Sequence, residues 1–348
     1  MVDFPISILK QLWVPTDDGR WAISGLKGLE LTHEGTKDSR FFALSGTLNI
    51  MTNSPGRSMG DFFLSFGTTE FLMQQSVVPI ISWMDGDAEM RCIGTGTIIS
   101  CSGYVLTAAH VVMDPFETGH GGARVGDSLA YHDRFNFGVL IPQNPASGRS
   151  GFLIYPFEKV WSWGSWKPSP LFHEEDRFEY LTDIAICKIP AMLGGGAHQP
   201  LSLSLNPFVK GEAAYALGYA EMPDIKLDPG TGGVFKKVDH SLYVSVGSII
   251  STFPQNNFDK SVPAPGPCFD FDAKIPGKMS GAPIFGARGA VIRGVVSRSF
   301  SGEAHAYGSM LGPAMELTMS EPDCSDRTLR RLLEQGNEGM AIVHGLGL

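Results

Sequence analysis

Gly94-Thr95-Gly96-Thr97-Ile98-Ile99, followed by Tyr104-Val105-Leu106-Thr107-Ala108-Ala109-His110, is the stretch on which the reading of this chain turns. Uncharged, β-branched and small residues read as a strand, followed by Tyr104-Val105-Leu106 as a second short strand that delivers a histidine. The small residues before His110 let it pack close to the neighbouring strand. Upstream, Val77-Val78-Pro79-Ile80-Ile81-Ser82-Trp83 and Met90 to Ile99 read as a hairpin across Asp85-Gly86-Asp87.

Two further stretches give this histidine chemical company. Thr182-Asp183-Ile184-Ala185-Ile186 sets a carboxylate just before an apolar strand, 73 positions after His110, with Asp176 as the alternative carboxylate. Gly277-Lys278-Met279-Ser280-Gly281-Ala282-Pro283 places a serine in a tight turn ahead of a strand, 97 positions after Asp183. A serine hydroxyl is a weak nucleophile near neutral pH and needs an adjacent base. Histidine suits that role because its unperturbed pKa is about 6.5. A carboxylate then fixes the imidazole tautomer and stabilises the imidazolium. The pattern assigns His110 as base and acid, Asp183 as orienter and Ser280 as nucleophile. Each also has an ordinary reading, as a core histidine, a turn carboxylate or a turn serine. Chain order alone decides little, since the same constellation recurs in several orders on unrelated folds; the local contexts and their joint occurrence favour the chemical reading.

Those contexts resemble the trypsin/chymotrypsin-like serine peptidases, most closely their bacterial branch without the vertebrate-type disulfides, over roughly Val77 to Leu317. The resemblance implies an oxyanion hole from the backbone N–H groups of Lys278 and Ser280. It also implies Lys274 at the base of the primary pocket, where a lysine would suit an acidic substrate side chain. Ser297, Arg298 and Ser299 are then the edge strand that pairs with extended substrate backbone. Two departures stand out. The family has glycine at the position of Lys278, because the turn leaves little room for a β-carbon; here the glycine is one place earlier, at Gly277. Either the loop tolerates lysine, or the Lys278 N–H points away and one donor is lost, at roughly 2.7–4 kcal/mol. Met279 stands where digestive members carry an aspartate that pairs with a newly cut N-terminus, so activation by that ion pair is not expected.

Bulk properties agree with a soluble globular protein. At 348 residues the chain has ample core to fold without staples. Its 42 glycines and 23 prolines favour many turns and a strand-rich fold. A net charge of −9 argues against a nucleic-acid partner, which calls for a basic face. No stretch approaches the roughly 18 apolar residues of a membrane span, and the start lacks the apolar run of a secretory leader, so the expectation is a cytoplasmic protein. The five cysteines, Cys92, Cys101, Cys187, Cys268 and Cys324, have no CxxC spacing and read as free thiols in a reducing compartment. Val111 stands where secreted relatives carry the cysteine that staples the histidine loop. No metal or cofactor is implied: His120, His132 and His173 lack partners at zinc spacing.

The remaining chain supplies the frame. Residues 1–75 form an N-terminal extension of open role, with Arg20-Trp21-Ala22-Ile23 and Phe41-Phe42-Ala43-Leu44 as short strands. Trp161 and Trp163 alternate at strand spacing, as a packed barrel strand or, with Trp166, as a contact loop. Strands are expected at Glu212–Tyr219, Ser241–Ser251, Pro283–Phe285 and Val291–Ser297, with Pro254 ending the second. A helix capped by Ser325 or Asp326, with Leu329, Leu332 and Leu333 on one face and Gly336 at its end, closes the chain.

The expected fold is all-β: two six-stranded Greek-key barrels, at 76–195 with His110 and Asp183 and at 196–320 with Ser280, then a helix and tail at 321–348. The expected function is a cytoplasmic serine endopeptidase acting on a protein or peptide, regulated and with a protein activator among its partners. A silent peptidase-like binding module is the alternative. An α/β-hydrolase ranks lower, since Lys278 breaks the Gly-x-Ser-x-Gly elbow.

Overall fold

The computed structural model describes residues 70–84, 87–113, 123–125, 128–131, 135–142, 152–167, 177–192, 195–226, 240–254, 262–287, 289–299, 304–319, 327–337 and 339–345. It also gives strand backbone at 2–3, 6–9, 12–15, 21–24, 28–31, 41–42 and 48–52, and residues 53, 63, 67 and 68.

Strands Val77–Met84 and Glu89–Ile98 pair antiparallel as the hairpin the sequence implies, with Val77 opposite Thr97 and Pro79 opposite Thr95. Residues 85 and 86 of its turn lie outside the described residues. The short strand Tyr104–Thr107 lies between Glu89–Ile98 and Arg177–Lys188, with Leu106 opposite Thr97 on one side and Ile186 on the other. Phe135–Pro142 and Phe152–Pro156 continue the sheet beyond Val77–Met84, and Lys159–Lys167 continues it beyond Arg177–Lys188. The sheet curves into a half-barrel. Ile80, Ile98, Val105, Leu106, Val139, Ile154, Ile184 and Ile186 are buried in its core, as is Trp161, which settles that residue as a packed strand position. The side chains of Trp163 and Trp166 lie outside the description.

The second unit is a closed six-stranded barrel. Its circuit runs Pro283–Gly286, Ala213–Tyr219, His240–Phe253, Cys268–Phe271, Ala306–Met310 and Val291–Ser299, which pairs back with Pro283–Gly286. The long strand ends directly before Pro254, as that residue dictates. Half-barrel and closed barrel together make a chymotrypsin-like, mostly β architecture.

The N-terminal strands join both units. Ile6–Leu9 and Gly28–Leu31 extend the first sheet beyond Lys159–Lys167, and Phe41–Phe42 pairs with Phe152 and Leu153 at its far edge. Trp21–Ser24 pairs with Leu12–Pro15. Leu48–Thr52 adds to the second sheet, parallel to residues 240–244. The Asn53 side chain then behaves as one more strand residue: its Nδ2 donates to the Val246 carbonyl (3.1 Å) and its Oδ1 accepts the Val246 N–H (2.8 Å).

The closing helix spans Leu329–Gly336 with Leu329 and Leu333 buried and Leu332 partly so. Its cap is Thr328, whose hydroxyl accepts the Arg331 N–H; Ser325 and Asp326 lie outside the described residues. The cap moves because Thr328 is the extended residue directly before the first helical one, where a side-chain oxygen reaches the third N–H. At the other end, buried Asn337 ties the helix to the first sheet, donating to the Ile99 carbonyl (2.7 Å) and accepting the Cys101 N–H (2.9 Å). Among the described residues Cys92, Cys101, Cys187 and Cys268 are free thiols; Cys324 lies outside them.

Candidate active site

Sheet register brings the histidine and the carboxylate together. Thr107 lies opposite Ala185, so the turn that follows Thr107 meets the residues that precede Ala185. His110 sits in the short helix Ala109–Met113, flanked by the buried Ala109 and Val111. Its backbone N–H donates to Asp183 Oδ1 (2.9 Å), and its Nδ1 lies 2.7 Å from Asp183 Oδ2. The Ser297 hydroxyl donates to the same Oδ2 at 2.5 Å. Three donors on one carboxylate fix its plane and hence the imidazole edge that faces it. Asp183 is buried at 1% exposure, whereas the His110 side chain keeps 12%. Burial alone would push the Asp183 carboxyl up. The His110 charge and the hydrogen bonds from His110 and Ser297 outweigh it and hold the carboxyl below its ordinary value. An ionised Asp183 accepts Nδ1–H and so leaves Nε2 as the basic nitrogen.

The nucleophile turn rests on the histidine's own loop. The Ser280 carbonyl accepts the Thr95 N–H (2.8 Å), and the Thr95 carbonyl accepts the Thr107 hydroxyl (2.9 Å). Gly281 has φ +84°, and a β-carbon there would lie 2.1 Å from Thr107 Oγ1 and 2.2 Å from the Thr95 carbonyl oxygen. Only glycine allows this approach. The Gly281 N–H donates to Val296 (2.8 Å) and the Ala282 N–H to Met279 (2.9 Å), which closes the turn.

The left-handed backbone of this turn falls on Lys278, at φ 68°, and not on Gly277, where a β-carbon would meet open space. Among the described residues, neither the Lys278 nor the Ser280 N–H is taken by an acceptor. A left-handed lysine is unfavourable by roughly 1–2 kcal/mol, and three contacts oppose that cost. Thr95 Oγ1 donates to the Lys278 carbonyl (3.2 Å), Lys278 Nζ donates to the Met222 carbonyl (2.5 Å), and Asp224 lies 3.8 Å from the same ammonium.

The other sequence-derived positions fall differently. Lys274 is exposed, its carbonyl accepting the Ser245 hydroxyl. Arg298 and Ser299 are exposed on the barrel strand Val291–Ser299, whereas Ser297 is buried and turned to Asp183, so only its backbone is left to face a substrate. The register shift between Val296 and Arg298 is what turns Ser297 inward. Sequence reading missed three contributors: the hydroxyls of Ser297 and Thr95, and the loop 221–224. The only outward signal was Thr95 itself, a β-branched hydroxyl between two glycines facing the serine turn. Burial pushes the Cys92 thiol up to about 12 and the Cys187 thiol well above its usual value. Among the described residues no three His, Cys, Asp or Glu side chains gather as a metal site; His120, His132 and His173 lie outside them.

A family model described as a trypsin-like peptidase domain matches residues 94–292. Among solved structures, the active form of the Rv3671c protease from M. tuberculosis is 19% identical, covering 78% of this chain and 89% of that one, with a TM-score of 0.41. The MamO protease domain from Magnetospirillum magneticum, in its apo form, is 15% identical, covering 69% of this chain and 94% of that one, at a TM-score of 0.38. Deg5 is 16% identical over 69% of this chain and 87% of its own, at 0.37. No curated protein matches the sequence.

Proposed function

Because the chain belongs to the trypsin-like peptidase family, whose model spans more than half of it, we propose that it is a serine endopeptidase working through His110, Asp183 and Ser280. The observation that carries the reading is the buried Asp183 carboxylate, which accepts both the His110 backbone N–H and its Nδ1–H while Ser297 holds it in place. In the first step His110 Nε2 takes the Ser280 proton as Oγ bonds to the scissile carbonyl carbon. The negative charge on the carbonyl oxygen falls to the N–H groups of Lys278 and Ser280, the two donors this turn would supply. His110 then returns its proton to the leaving amine, giving an acyl-enzyme, and activates water for its hydrolysis. Within residues 297–299, Arg298 and Ser299 pair with Tyr307 and Ala306 on one side, and the other edge would hold an extended peptide as an added strand. A cytoplasmic location and a protein activator belong to the same proposal.

The test is labelling of the purified protein with a fluorophosphonate probe, beside Ser280→Ala and His110→Ala. Labelling of the wild type that disappears in both variants is expected. A folded wild type that takes no label, or a label that survives Ser280→Ala, would reject the assignment in favour of a silent binding module.

A further inference from the structure

Two non-glycine residues among those described have positive φ: Lys278 at 68° and Glu221 at 46°. They are more than fifty positions apart in sequence, yet they meet. The Glu221 N–H donates to the Gly277 carbonyl (3.0 Å), and Lys278 Nζ donates to the carbonyl of Met222 (2.5 Å) with Asp224 at 3.8 Å. Each strained residue thus supplies a donor to the segment that holds the other. Strained backbone of this kind persists only where its surroundings over-determine it.

The chemical consequence lies in one peptide plane. The Gly277 carbonyl and the Lys278 N–H belong to the same trans peptide and point in opposite directions. Drawing the carbonyl toward Glu221 therefore aims the N–H in the opposite direction within the same plane. That N–H is the second of the two proposed oxyanion donors. The next peptide is fixed as well, because the Lys278 carbonyl accepts the Thr95 hydroxyl (3.2 Å), whose lone pair in turn receives the Tyr219 N–H (3.0 Å). Gly218 leaves room for this bridge, since a β-carbon there would lie 2.9 Å from Thr95 Oγ1. The loop is not adrift either. Met222 and Ile225 are buried, and Ile225–Lys226 pairs with Met90 and Glu89 of the strand that carries Thr95.

We infer that residues 221–224 and the Lys278 side chain form a latch that sets the Gly277–Lys278 peptide, making the Lys278 ammonium a positioning group for the oxyanion site. This rests on the serine-peptidase reading and deepens it. It gives the lysine a purpose: where a glycine adopts the left-handed turn passively, Lys278 is anchored in it by its own side chain. Loop 221–224 is then the place where a partner that loosens or tightens the latch changes the rate without touching the triad.

The experiment compares wild type, Lys278→Met, which keeps length and loses the ammonium, and Lys278→Arg, which restores a cation with N–H donors. Two readouts are taken on folded protein of verified melting temperature: saturation kinetics of fluorophosphonate inactivation, and amide hydrogen exchange of the segment 276–282. In Lys278→Met the maximal inactivation rate is expected to fall about 10²-fold, the low end for losing one oxyanion donor, with the half-saturating probe concentration unchanged. Exchange in 276–282 rises while that of 291–299 does not. Lys278→Arg recovers most of both. Unchanged exchange in Lys278→Met, an unchanged rate, or failure of Lys278→Arg to rescue overturns the latch. If the wild type itself takes no label, the peptidase reading fails, and the latch stands or falls on the exchange data alone.

Discussion

The two halves of the proposed catalytic machinery are built by different means. His110 and Asp183 are placed by antiparallel register: Tyr104–Thr107 runs beside Arg177–Lys188, and three hydrogen bonds converge on a carboxylate that is 1% exposed. The nucleophile turn, by contrast, is a few residues long and includes a left-handed lysine. It is held from outside by Thr95, by Glu221 and Met222, and by Val296. The first half follows from the sheet and survives as long as the sheet does. The second is conditional on side chains and a loop distant in sequence, so it is where control is most easily exerted.

The comparison can be broken most forcefully on the sheet side. Asp183→Asn keeps the shape but offers an N–H where His110 needs an acceptor, and the inactivation rate by fluorophosphonate is expected to drop roughly 10³–10⁴-fold with the fold retained. A loss under tenfold would mean that the buried carboxylate does not orient the base. On the turn side, Gly281→Ala forces a β-carbon into the Thr95 carbonyl and the Thr107 hydroxyl at a positive φ. Overpacking and strain together predict about 2–5 kcal/mol of lost stability, read from urea unfolding, and no labelling.

A subtler pair lies on one strand. Thr95 and Thr97 are both fully buried, but the Thr95 hydroxyl bridges Tyr219 and Lys278 while Thr97 Oγ1 has no hydrogen-bond partner among the described residues. Thr95→Val is expected to cost about 1–3 kcal/mol by orphaning buried groups, and Thr97→Val to change stability by less than about 0.5 kcal/mol, since no hydrogen bond is lost. Equal effects in urea midpoints would dissolve the distinction between a bridging and an idle hydroxyl.

Acid is the gentlest probe. The Asp183 carboxyl is held below its ordinary value in the folded state. As pH falls below about 4, the usual carboxylate value, the unfolded chain takes up the proton first. The stability that Asp183 contributes is therefore fully present above that pH and lost as pH falls toward the folded value. Urea midpoints between pH 5 and pH 3 should decline more steeply in wild type than in Asp183→Asn; parallel curves would remove Asp183 from the account.

What the sequence discloses and what it hides follow the same division. Hairpins, strand ends such as Pro254 and the apolar strand behind Asp183 are short-range patterns, and local propensity reports them well. Ser297 reads as an edge-strand residue because nothing in Val-Val-Ser-Arg-Ser signals the bulge that turns it toward Asp183. The left-handed backbone is expected at a glycine, and Gly277 stood next to the position that actually takes it; side-chain anchoring of Lys278 overrides propensity. The N-terminal strands read as an appendage because their partners are remote: residue 29 meets residue 164, and residue 48 meets residue 240.

That last pairing also bears on the order in which the protein is assembled. Asn53 and Val246 are 193 residues apart, and synthesis delivers the first long before the second. The six strands of the second barrel close their circuit without Leu48–Thr52, mostly through antiparallel neighbours nearer in sequence. Loop closure over so long a span is the entropic step least rewarded early in folding. The 48–53 segment is therefore a late strap, laid along a barrel that already exists, and its departure exposes a strand edge at 240–246 instead of unfolding the barrel beneath.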